Sequence, residues 1–115
     1  MEVGRNQNLG FNGYICAKHN LKAVSTVPNG KPQIYLEIEE KAKDAISKYG
    51  DKDGHIIAGE KNKNGVVLLI SQKLHSMDAI LKEALTKLGY EAEVVPNGVK
   101  PFDVFKRMKK ELKNS

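Results

Sequence analysis

Five consecutive apolar residues, Val66 to Ile70, stand between Gly65 and the polar triplet Ser71-Gln72-Lys73. That length and β-branched content predict a strand buried on both faces. The period then changes. Met77, Ile80, Leu81, Ala84, Leu85 and Leu88 recur at i, i+3, i+4, i+7, i+8 and i+11, which is one face of an α-helix. Lys82, Glu83 and Lys87 fall on its other side. Ser76 is placed to cap this helix and Asp78 to favour its positive end. Gly89 stands at the C′ position, where a left-handed residue closes a helix and lets Tyr90 fold back on Leu85. Glu91 to Val95 alternates until Pro96 ends it. Residues 65–96 therefore predict strand, helix, strand, with the helix as anchor of the core.

The flanking segments extend this pattern. Residues 1–13 are rich in Gly and Asn and predict a loosely tied terminal segment ahead of a single domain over residues 14–115. Tyr14 to Ala17 predicts a short strand. Leu21 to Val27 alternates, and Pro28-Asn29-Gly30-Lys31-Pro32 predicts a wide hairpin turn. Gln33 to Ile38 places Ile34, Leu36 and Ile38 on one face of a half-buried strand, and a helix over 39–49 follows on Ala42, Ala45, Ile46 and Tyr49. One unbroken helix from Pro32 to Tyr49 is the competing parse. It leaves Leu36 facing solvent, and strand-then-helix is preferred for that reason. Residues 51–54 predict a turn, His55 to Ala58 a strand, and Gly59 to Asn64 a polar loop. The last helix begins near Pro101, with Phe102, Phe105, Met108 and Leu112 as its apolar stripe.

Over residues 33–96 the order β-α-β-β-α-β predicts a ferredoxin-like, split βαβ α+β sandwich. It carries an added N-terminal hairpin strand and a C-terminal helix, and both crossover helices lie on one face of an antiparallel sheet. The alternative is a small doubly wound α/β sheet, in which the two strands of 65–96 are parallel neighbours.

Charge changes the picture at one end. The chain of 115 residues carries a formal +5, and residues 100–115 hold Lys100, Lys106, Arg107, Lys109, Lys110 and Lys113 against Asp103 and Glu111, a net +4. A basic end on a near-neutral body is an electrostatic footprint of nucleic acid or anionic surfaces. No run approaches the ~18 apolar residues that predict a membrane span, and the first residues do not form a secretory leader. The single Cys16 allows no internal disulfide, and a reducing, cytoplasmic setting is expected. No Cys/His spacing suggests zinc and no glycine fingerprint suggests a phosphate loop, so neither metal nor cofactor is expected.

Two local resemblances bear on function. Leu81 to Gly98, LKEALTKLGYEAEVVPNG, resembles the first helix, second strand and following turn of response-regulator receiver domains. Receivers carry an acidic pair after their first strand to hold a metal ion. Ser71-Gln72-Lys73 stands there instead, so the resemblance implies shared βαβ grammar and no phosphotransfer. Asp53-Gly54-His55-Ile56-Ile57-Ala58 is similar to the Asp-Arg-Gly-His motif of non-specific nucleases in bacterial toxins. It implies His55 as general base, although the Arg is missing and no metal-holding Asn can be matched.

Three functions follow as expectations. The first is a non-enzymatic nucleic-acid-binding domain, for RNA before DNA. Lys61, Lys63, Lys106, Arg107, Lys109, Lys110 and Lys113 would meet phosphates, and Tyr35 would stack a base on an open sheet face. The second is a small nuclease or toxin domain using His55, with Asp53 or Asp51 to orient it. The third is a protein-interaction or inhibitor module of mobile-element origin, acting on a protein partner or as a homodimer. Cys16 near His19 reads as a small buried hydrophobe, and His75 as part of a helix entry.

Overall fold

The structure, a computed structural model, describes residues 13–20 and 32–114. Its elements are β1 (Gly13–Asn20), α1 (Pro32–Tyr49), β2 (His55–Asn62), β3 (Gly65–Gln72), a 3-10 turn (His75–Met77), α2 (Asp78–Lys87), β4 (Glu91–Val94) and α3 (Pro101–Lys113). The four strands form one sheet in the order β2-β3-β1-β4, and every neighbouring pair is antiparallel. The described residues thus form an α+β fold of a four-stranded antiparallel sheet and three α-helices.

The apolar run of β3 is buried on both faces because helices cover both. Its alternation sends Val66, Leu68 and Ile70 to one side, where they meet Ile15 and Ala17 of β1, Ala42, Ala45 and Ile46 of α1, and Leu81 and Leu85 of α2. Val67 and Leu69 point the other way and, with Cys16 and Val95, pack on Val104, Phe105, Met108 and Leu112 of α3. Each large side chain removed from water contributes about 1.5–3 kcal/mol. A bulge between Ile56 and Ala58 turns the edge strand β2, so that Ile56 joins the first core and Ala58 the second.

The helix α2 closes as its sequence predicts. Gly89 has φ +99°, its N–H donates to the Thr86 carbonyl at 3.0 Å, and the Tyr90 N–H donates to Leu85 at 3.1 Å. That pair of bonds is a Schellman closure. Its start differs. Ser76 lies in the 3-10 turn and makes no cap, Met77 takes the N-cap position, and Ile80 faces solvent.

Four expectations are corrected. Gln33 to Ile38 is the first part of α1, not a strand. Tyr35, Ile38, Ala42, Ala45 and Ile46 form a helical stripe against the first core, and Leu36, 55 % exposed, is left in solvent. The short strand expected at Tyr14 to Ala17 runs from Gly13 to Asn20 and is a central strand of the sheet, β1. The doubly wound alternative fails because β1 separates β3 from β4 and all pairs are antiparallel. Gly59 to Asn62 continues β2, which leaves Lys63 and Asn64 as the turn before β3. Residues 1–12 of the terminal segment expected over 1–13, the strand expected at Leu21 to Val27 and with it the added hairpin strand, and the turn at Asn29-Gly30 lie outside the described residues.

Candidate nucleic-acid interface

Helix α3 begins with Pro101 at its first turn, where a missing N–H costs nothing. Val104, Phe105, Met108 and Leu112 face the sheet. The opposite side carries Phe102, Lys106, Lys110 and Lys113 at spacings of four, four and three residues, one continuous row. All four are exposed. Among the described residues, Lys106, Lys110 and Lys113 are in no ion pair.

The flanks of the helix are different. Arg107 is held by Glu93 at 2.5 Å and Glu111 at 2.9 Å, and those hydrogen bonds raise its pKa further. Lys18 of β1 reaches Glu111 at 3.1 Å and Glu91 at 3.8 Å. The Arg107 and Lys18 contacts depress the pKa of Glu111. Lys109 lies 3.7 Å from Glu60 and 5.1 Å above the Phe105 ring. Arg107 and Lys109, both expected at phosphates, therefore strap α3 to the two edges of the sheet. Each such surface pair is worth about 0.2–1 kcal/mol.

The β2–β3 turn adjoins the end of α3. The buried Asn64 amide donates to the Leu112 carbonyl at 2.8 Å and the Lys113 carbonyl at 3.2 Å, which satisfies two orphan carbonyls of the last turn. Lys63 is thereby placed beside the lysine row, exposed and unpaired among the described residues. Lys61 is bound to Glu39 at 2.6 Å. Tyr35 does not lie on an open sheet face: it sits on α1, its hydroxyl donates to the Asn62 carbonyl at 2.8 Å, and α3 covers the face away from α1. Tyr35, Leu36, Lys61, Asn62 and Lys63 line a shallow cleft of about 480 Å³. Phe102, read from the sequence as part of the apolar stripe with Phe105, Met108 and Leu112, is 51 % exposed while those three are buried. Its place in the 102-106-110-113 row was the available signal.

The second constellation, around His55, is built from turn geometry. His55 Nδ1 lies 2.8 Å from the main-chain carbonyl of Asp53, not its carboxylate. The Asp51 carboxylate accepts the N–H groups of Leu74 and Asp53. Burial pushes its pKa up, but four backbone N–H donors outweigh that and hold it low. Gln72 bridges the Asp51 N–H at 3.0 Å and the Asp78 carboxylate at 2.5 Å, and His75 Nδ1 is 2.7 Å from the other oxygen of Asp78. Burial raises the pKa of Asp78 against those two bonds. The carboxylate packs so closely on Gly13 that a Cβ there would overlap it. These groups join three chain segments, and no cluster of His, Cys, Asp or Glu among the described residues is arranged to hold a metal.

His19 is the remaining buried polar group among the described residues. It is 5 % exposed, stands edge-on to Tyr90 at 5.1 Å and hydrogen-bonds the Leu88 carbonyl. Among the described residues Nδ1 has no partner, so the neutral ring carries its proton on Nε2. Desolvation, opposed by the Leu88 carbonyl and helped by Lys41, lowers its pKa. The unfolded chain then binds a proton more readily than the folded one. Stability is present above the ordinary imidazole value near 6.5 and is lost as pH falls below it towards the depressed folded pKa. Urea unfolding midpoints should fall between about pH 7 and pH 5, and His19→Phe, which keeps the edge contact to Tyr90, should flatten that slope. Equal pH slopes in the two proteins would refute the assignment.

No protein-family model and no curated protein matches the chain. No helix among the described residues is long and apolar enough to cross a membrane.

Proposed function

We propose that this domain binds nucleic acid through its phosphates, using the outer face of α3 and the adjoining β2–β3 turn. One observation carries the reading: among the described residues, Lys106, Lys110 and Lys113 form a single exposed row with no carboxylate partner, while the other cations of the helix are neutralised in place. Phosphate contact requires positive charge that can reach a backbone and releases condensed counterions. Lys63, and Lys100 at the head of the helix, extend the row at its two ends. Asp103 borders it in the first turn, where it favours the helix dipole. For the fold we propose the ferredoxin-like class. The support is the interleaving of two βαβ units, β1-α1-β2 and β3-α2-β4, each with its gap filled by a strand of the other.

Reversing the three lysines together, K106E/K110E/K113E, should weaken binding to RNA and DNA at low salt by about a hundred-fold or more. It should also reduce the slope of log K against log salt by about two to three, close to one per lost phosphate contact. The control is an equal charge change on the far side of the sheet, K41E/K48E/K87E, in residues that line the cleft between α1 and α2. The proposal fails if the unmutated protein shows no salt-dependent binding, or if the control loses as much.

A further inference from the structure

We infer that the nucleic acid taken by this face is single-stranded, with one unstacked base lying on Phe102. The inference rests on the nucleic-acid reading above and goes beyond it in naming the strand class and the residue that selects it. Phe102 opens the row that continues through Lys106, Lys110 and Lys113. Half of its surface is in solvent although it is among the largest apolar side chains of the chain. It is held by Phe105, which is buried in the second core. The two rings stand at 87° with centroids 6.1 Å apart, a favourable edge contact that orders the outer ring.

Phosphate contact alone has no use for an aromatic at this place. A duplex keeps its bases stacked inside and offers a helix only base edges in a groove. A single strand offers base faces, and an aromatic beside a track of cations is the arrangement that takes them. The lysines follow at intervals of about one helical turn, 5.4 Å, so a strand laid along α3 meets the ring first and a cation at each turn after it. The edge contact favours one placement of the ring before binding, which lowers the cost of stacking.

The test uses the full chain with short mixed-sequence single-stranded RNA, the matching DNA strand, and the corresponding duplexes. Phe102→Ala should weaken single-strand binding about ten-fold or more, the size of one base–aromatic stack. Duplex affinity and the salt slope should stay unchanged. Phe102→Trp should keep single-strand affinity, and its indole fluorescence should be quenched on binding. Phe102 is exposed, and an unchanged far-UV spectrum in both variants checks that the fold is intact. Single-strand affinity indifferent to Phe102→Ala overturns the inference, and so does a duplex affinity that falls by the same factor. In either case the lysine reversal still reports on nucleic-acid binding by itself. No binding of any of these probes by the unmutated protein removes both.

Discussion

Gly65→Ala is expected to cost about 4 kcal/mol or more, the range reserved for main-chain collisions and buried defects. Gly65 opens β3 opposite Asn20 with φ +154°, a conformation that residues with a Cβ rarely adopt. An added Cβ would overlap the His19 carbonyl oxygen, stand 3.0 Å from the carbonyl carbon and lie 3.1 Å from a methyl of Leu112. The obstruction is backbone, so no side-chain rotation relieves it. Relief requires prying β1 from β3, the two central strands, at the point where α3 also ends on the sheet. A domain of this size has about 5–15 kcal/mol in total. Urea titrations should show a greatly reduced midpoint for Gly65→Ala. Gly59→Ala is the comparison, because its Cβ would meet Leu68 at an ordinary 3.4 Å and should shift the midpoint little. Comparable midpoints for the two variants would refute the argument.

The elements legible from the sequence are those whose signal is local. β3 was visible because a run buried on both faces needs no partner to be recognised, and α2 because its period persists to Leu88 and its stop is a glycine. Gln33 to Ile38 was not, because two periods coexist there. Ile34, Leu36 and Ile38 alternate, while Tyr35, Ile38, Ala42, Ala45 and Ile46 recur at helical spacing. The choice is made by β1, which occupies the central sheet position. β1 itself looked short because Lys18, His19 and Asn20 are polar. Lys18 is offset by Glu111 and Glu91, and His19 is covered by the end of α2 and Tyr90; none of these partners is near in sequence. The same holds for the proposed interface. Its lysines could be counted, but which of them remain free depends on Glu60 and Glu93, brought up by β2 and β4. The expected open sheet face had an opponent already in the sequence, since the apolar stripe of α3 must bury itself somewhere.

Met108→Asp should unseat α3 while the rest of the domain stays folded. Met108 is 1 % exposed at the centre of the second core. Its replacement removes about 1.5–3 kcal/mol of burial and sets a carboxylate among the apolar side chains of Cys16, Val67, Leu69, Phe105 and Leu112. What remains is a sheet covered on one face by α1 and α2, itself a complete two-layer arrangement. Cys16 reports the event. In the intact protein its thiol is fully buried, and burial first, then the charge of Glu93, pushes its pKa up to about 12. Freed of α3, it should return towards the ordinary thiol value near 8.5, a gain of roughly a thousand-fold in thiolate at mildly alkaline pH. Labelling by a thiol reagent should therefore be slow in the native protein and at least about a hundred-fold faster in Met108→Asp. The near-UV signal of Tyr90, in the first core, should persist. Slow labelling in the variant would mean that α3 is held by more than its apolar face. Loss of the tyrosine signal would mean that the two cores unfold as one. The charge reversals at Lys106, Lys110 and Lys113 should leave Cys16 protected, because they act on the exposed side of α3. The two sets of variants separate the helix as a cover for the sheet from the helix as a surface for phosphate.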